Sequence, residues 1–225
     1  MYSKELGINF FGNESNKKTK LKKIDILKNN INNFKIFLVI AGTNTSQIPG
    51  ISAAGLNAKS RRITALADAE FLLMGASKDH KYKLPPLNAG VTPALISHVC
   101  SKLLNVYPVI VPLGIEVKPH FNHLIVEDRD LGPSNCLSTG KSMPRDRVVN
   151  LYKRGLEIGK SSKQPILISE SVPGGTTTAQ AVMEAFGLRV SNLVGSSLFK
   201  APRELRRKVV QKGLLNANLK TDFDS

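Results

Sequence analysis

The sequence predicts an α/β fold: a mostly parallel, Rossmann-like three-layer sheet preceded by a short helical N-terminal segment. Three observations predict it. The runs FKIFLVIAG (34–42), VYPVIVPLG (106–114) and QPILISES (164–171) are apolar without strict alternation, as in strands covered on both faces. Segments of helical periodicity separate them. This alternation of strand and helix selects parallel connections. The expected organisation is a helical segment over 1–33 and an α/β domain over 34–225, read as incomplete at its C-terminus.

Residues 14–35 are polar and rich in Asn and Lys. Leu21, Ile24, Leu27 and Ile31 fall near helical spacing, which predicts a short amphipathic helix. After the first strand, TNTSQIPGISAAG (43–55) reads as a small-residue loop, and AEFLLMGA (69–76) is a further apolar stretch. TPALISHVCSKLL (92–104) reads as a helix that Thr92 can cap, with Pro93 suited to the first turn. Leu95, Ile96, Val99 and Leu103 line one of its sides. Pro108 and Pro112 assign the second strand to an edge or put them near its ends. LGPSNCLSTGKSMP (131–144) is a long loop. RDRVVNLYKRGLEIGKS (145–161) is a helix with Val148, Val149, Tyr152, Leu156 and Ile158 on one broad face. TAQAVMEAFGL (178–188) is a helix stopped by Gly187, and SNLVGSS (191–197) is a candidate for another strand. PRELRRKVVQKG reads as a basic helix bounded by Pro202 and Gly213.

Composition narrows the function classes. Among 225 residues, 41% are apolar, which suits a globular chain, and no apolar run approaches the roughly 18–20 residues of a membrane span. MYSKELGINF lacks the basic-then-apolar layout of a secretory signal, so a cytoplasmic location is expected. Cys100 and Cys136 are too few for a disulfide framework or a four-cysteine zinc site, and both read as reduced. The net charge of +15 collects partly at Lys17, Lys18, Lys20, Lys22 and Lys23, and at Arg203, Arg206, Arg207, Lys208 and Lys212. Such runs are either solvated faces or attractors of phosphorylated partners. No zinc-finger, RNP-type or basic-zipper pattern accompanies them, and aromatics are 6%, so nucleic acid is not an expected partner.

The segment ESVPGGTTTAQAV (170–182) carries the functional reading. It joins a strand to a helix, where ligands of parallel α/β sheets sit. A helix N-terminus exposes unpaired N–H groups and a partial positive charge. Gly174 and Gly175 let a phosphate approach the backbone, and Thr176, Thr177 and Thr178 add hydroxyl donors. The Lys-Ser/Thr pair of a Walker loop is missing, and so is GxGxxG. A plain capped turn is the other reading of the same residues.

This segment resembles the glycine-threonine loop of the nicotinate-nucleotide:dimethylbenzimidazole phosphoribosyltransferase superfamily. GVTPALISHV (90–99) is similar to that family's base-pocket segment, and SMPRDRVVNLYKRGLEIGKS (142–161) to its helix ending in Gly-Ile-Glu. AGTNTSQIPGISAAG and DRDLGPSNC resemble a cyanobacterial and archaeal branch. The resemblance runs from Tyr2 to Ser225 and implies a glycosyltransferase of cobalamin biosynthesis. Ribose 5-phosphate would move from nicotinate mononucleotide to dimethylbenzimidazole or a purine. It implies phosphoribosyl binding by Gly174, Gly175, Thr176, Thr177 and Thr178, a base bordered by Gly90, Val91 and Thr92, and a supporting catalytic role for Glu170. It implies no cofactor and no metal, small-molecule substrates, no membrane partner, and leaves a homo-oligomer open. The family's principal base, a glutamate in a C-terminal Gly-rich segment, has no counterpart here. The expectation is therefore an N-terminal portion, truncated and inactive by itself. The rival expectation is a non-catalytic nucleotide- or nucleic-acid-binding protein.

His120 and His123 have a spacing that could meet a metal with Glu127 or Asp128, but they read better as surface histidines. Glu127, Asp128 and Asp130 around Arg129 read as a turn network. Cys136 has no visible His-Asn partners for nucleophilic work.

Overall fold

The computed structural model describes residues 17–30, 33–55, 57–84 and 92–219. The chain divides into two compact units, Met1–Phe34 and Lys35–Ser225. In the first, helix α1 spans Lys17–Asn30, and its last residue donates from Nδ2 to Ile26 O at 2.8 Å. Ile31, expected on the same helix, lies outside the described residues.

The second unit is α/β, as the continuous apolar runs predict. Strands β1 (Lys35–Ala41), β2 (Val109–Leu113) and β3 (Ile166–Ser171) form a parallel sheet of order β2-β1-β3. Phe37 pairs with Val109 on one side of β1 and with Ile168 on the other. Pro112 lies inside β2, an edge strand of the described sheet, where a residue without an N–H is tolerated.

Helix α2 (Ala58–Met74) supplies the core. Its start is a capping box: Asn57 Oδ1 accepts the Ser60 N–H at 2.9 Å, and Ser60 Oγ accepts the Asn57 N–H at 3.0 Å. It ends where Gly75 takes φ 72°. The apolar stretch 69–76 is the last part of this helix and the turn after it. Ala65, Leu66, Ala69 and Leu72 pack with Leu38 and Ile40 of β1 and Ile110 of β2. Each fully buried Leu or Ile contributes about 1.5–3 kcal/mol.

The later helices depart from their expected apolar faces. Helix α3 (Ala94–Leu104) buries only Ala94, while Ile96, Val99 and Leu103 are exposed. Polar contacts hold it instead: His98 Nδ1 lies 2.8 Å from Leu72 O, and Thr92 bonds to α2. Helix α4 (Arg145–Ser161) buries only Arg147, leaving Val148, Tyr152 and Leu156 exposed. Helix α5 (Gly175–Ala185) ends at Gly187, φ 81°, as predicted. Residues 191–197 form turns and irregular backbone, not a strand. Two carbonyls there, of Val194 and Gly195, accept from Arg206.

Helix α6 runs from Arg203 to Asn216, three residues past the predicted stop at Gly213. Gly213 lies against the short 3-10 turn Leu137–Thr139, where a Cβ would run into Leu137 O. Close approach of two backbones, not termination, explains this glycine. The basic run is also divided. Arg207 and Lys208 are exposed, but Arg206 is fully buried and burial holds its guanidinium below the usual arginine value.

Candidate functional site

The carboxyl ends of the three strands define one rim of the sheet. After β1, Gly42 leads into the 3-10 turn Asn44–Gln47, capped by the Thr43 hydroxyl. A Cβ on Gly42 would run into Gly114 O at the end of β2, so these two backbones touch because residue 42 has no side chain. A narrow, solvent-open cleft lies at this rim. Gly42, Thr43, Ser46, Arg61, Arg62 and Pro173 help to line it.

Two arginines from α2 enter the cleft wall with different tasks. Arg61 is buried and bonds to the carbonyls of Ser46, Gln47 and Gly55. Each of its three nitrogens donates to the loop it holds. Arg62 is partly exposed, pairs with Glu116 and donates to Asn44 Oδ1 at 3.1 Å.

The glycine-threonine loop follows β3 directly. Gly174 is buried at φ 77° and packs on Ser46, 3.5 Å from where its Cβ would stand. Gly175 opens α5. Thr177 is fully buried, and its Oγ1 has no hydrogen-bond partner. Two loop amides are already engaged: Gly175 N–H donates to Val172 O at 2.8 Å and Thr177 N–H to Gly174 O at 3.0 Å. An anion here would share or displace these contacts. The Glu170 carboxylate sits under the loop, its Oε2 3.5 Å from the Cβ position of Gly175. Partial burial pushes its pKa above the usual carboxylate value, and the Val172 N–H works against that rise.

Thr92 comes to the same neighbourhood through a residue that sequence reasoning missed. Asp68 of α2 accepts the Thr92 hydroxyl on Oδ1 and the Ser171 hydroxyl on Oδ2, both at 3.0 Å. Burial raises the Asp68 pKa, and the Ser171 and Thr92 hydroxyls restrain the rise. The Asp68 carboxylate thus ties the start of α3 to the end of β3. Thr92 Oγ1 also accepts the Ala94 N–H at 3.2 Å, so its capping role holds. Gly90 and Val91 lie outside the described residues. Asp68 stands among small residues on the buried side of a helix, and that placement was its one signal.

The other singled-out groups take structural places. His120 is exposed along its body, yet its Nε2 reaches the fully buried Glu70 at 3.0 Å. Glu70 also accepts the Lys81 and Tyr82 amides, each at 2.8 Å. His123 Nδ1 lies 2.8 Å from Phe121 O. Glu127 is no turn residue: its side chain is buried and takes two bonds from Arg147, at 2.8 and 2.7 Å. Asp128 does cap its own turn, accepting the Asp130 N–H. Among the described residues no group of three or more His, Cys, Asp or Glu side chains is disposed to hold a metal ion. Cys100 and Cys136 are free thiols. No described helix is long and apolar enough to cross a membrane.

No protein-family model matches the chain. Curated relatives do. A UPF0284 protein of Prochlorococcus marinus strain MIT 9215 is 88% identical over 225 residues, all of this chain and 58% of the relative. A UPF0284 protein of strain MIT 9312 gives the same identity and coverage. A UPF0284 protein of Parasynechococcus marenigrum is 47% identical over 186 residues, 83% of this chain and 47% of the relative. The similarity to these UPF0284 proteins runs along all 225 residues of the chain, which spans 58% of the length of its Prochlorococcus relatives.

Proposed function

We propose that the α/β unit holds the phosphoribosyl end of a substrate in a phosphoribosyltransferase. Its reaction moves ribose 5-phosphate from nicotinate mononucleotide to dimethylbenzimidazole or a purine. The observation that carries this reading is the placement of Gly174–Thr178. They open α5 directly beyond the carboxyl end of β3, beside a cleft walled by Arg61 and Arg62. A helix N-terminus there favours a phosphate, and the buried, unpartnered Thr177 hydroxyl is a donor in want of an acceptor.

The chemistry asks little covalent work of the protein. A ring nitrogen of the base attacks C1′ of the ribose as the C1′–N bond to nicotinate breaks. The electron pair leaves with nicotinate, whose ring becomes neutral. The base then gives up a proton. Holding the two reactants in line contributes about 7–11 kcal/mol at best. The proton needs a carboxylate of adequate basicity. Asp68 and Glu170 both have raised proton affinity and flank the segments that hold Thr92 and the loop.

The test is a titration with nicotinate mononucleotide that follows backbone amide shifts, joined to an assay of nicotinate release with dimethylbenzimidazole or adenine. The expected outcome is shifts confined to 174–178 and the 42–46 turn, without turnover by the 225-residue chain. The expectation rests on the family's C-terminal glutamate having no counterpart in these residues. Shifts elsewhere would overturn the reading. Turnover would assign the base to Glu170 or Asp68. Binding without turnover even after the relative's full length is tested would favour a non-catalytic nucleotide-binding protein.

A further inference from the structure

We propose that the free edge and faces of β3 are the docking surface for the part of a UPF0284 protein that lies outside the 225 matched residues, and that this part adds a parallel strand beside β3. The strand stands outermost among the described strands, in the order β2-β1-β3. Its four middle residues are exposed, Ile168 at 72% and Leu167 at 45%. Neighbouring residues of a strand point to opposite faces, so both faces are uncovered.

That arrangement is foreign to a parallel strand. Parallel sheets occur almost only with both faces buried, and an apolar edge left open is a template for pairing. The sequence ILI within β3 is that of an interior strand. The following helix leaves apolar residues uncovered too: Phe186 at the end of α5 is 81% exposed, and Val182 one turn earlier is also exposed.

The length of the relatives points to an occupant. The Prochlorococcus relatives share 88% of these residues yet devote two fifths of their length to something else. A strand with its crossover helix needs only roughly 30 residues, so the remaining length is ample. Such a segment would complete the hydrogen bonding of β3 and cover Leu167 and Ile168. A second copy of this chain could also cover the edge, for instance by pairing the two β3 strands across a two-fold axis.

Hydrogen exchange of this chain and of the full-length strain MIT 9215 relative, each at two concentrations, separates these cases. The expected result is slower exchange in the relative, by about tenfold or more, at amides aligned with 166–171 that face away from β1, unchanged on dilution. Ile168→Lys should leave the thermal midpoint of this chain within about a degree, whereas Lys at the aligned position should lower the relative's midpoint by several degrees. Equal exchange in both proteins, with Lys tolerated in both, overturns the proposal. Protection that disappears on dilution also overturns it and assigns the edge to a second copy.

Discussion

Asp68 accepts the Thr92 hydroxyl at 3.0 Å, and through this bond a helix that buries almost no apolar residue is held to the core helix α2. Asp68→Ala removes the acceptor for both Thr92 and Ser171. The expected cost is about 1–3 kcal/mol, a fall of roughly 2–10 °C in thermal midpoint. Calorimetry of the two proteins measures it. Asp68→Asn keeps one acceptor oxygen and should cost less.

Acid stability carries the signature of the same carboxylate. Asp68 and Glu170 are both raised in the folded protein, from reference values of 3.8 and 4.5. The folded state therefore keeps these protons to higher pH than the unfolded chain. Their contribution is most favourable below the unfolded values and is lost as pH rises through the folded ones. Thermal midpoints followed from pH 4 upward should include this loss, and Asp68→Asn should flatten its share. An identical pH profile in the variant would contradict the buried, raised carboxylate.

Glu127 and Arg147 form a two-bonded pair with side chains only 6% and 7% exposed, and Glu127 also takes the Gly114 N–H at 2.7 Å. Glu127→Ala strands a buried guanidinium and a backbone amide. It should cost about 3–5 kcal/mol. Arg147→Met on the Glu127→Ala background should recover part of that loss, since the uncompensated charge is then gone. Urea denaturation of the single and double variants distinguishes a buried pair from an incidental one.

Glycine contacts give a purely steric prediction. Gly42→Ala would drive a methyl group into Gly114 O, and Gly213→Ala would drive one into Leu137 O. Both should lower the thermal midpoint by several degrees, by the 1–3 kcal/mol typical of overpacking. Gly159→Ala is the control, because nothing lies within 4 Å of its Cβ position and alanine favours a helix.

Glu170 sets the charge beneath the loop. Its Oε2 lies against Gly175, where an incoming phosphate would feel it as a like charge. Glu170→Gln should tighten binding of inorganic phosphate by roughly 2- to 5-fold, equivalent to about 0.3–1 kcal/mol for a charge at a helix end. Isothermal titration measures the change. Weaker binding would assign Glu170 a part in holding the ligand through other groups.

Features encoded by neighbouring residues were legible without coordinates. The runs around Phe37, Val111 and Ile168 announced three strands, and their parallel order followed from the helices between them. Gly187 announced the end of α5, because a backbone conformation belongs to a few adjacent residues, whereas α5 opens at Gly175, three residues before the expected start at Thr178. Tertiary structure alone joined Asp68 to Thr92 and Ser171, Glu127 to Arg147, and Glu70 to His120. These partners stand 20 to 103 residues apart, and a charge becomes buried or paired only when packing brings its neighbours. Packing likewise decided that the apolar sides of α3 and α4 face outward and that Gly213 marks a crossing. Periodicity shows that a helix has an apolar side, and only the neighbouring elements determine whether that side is covered.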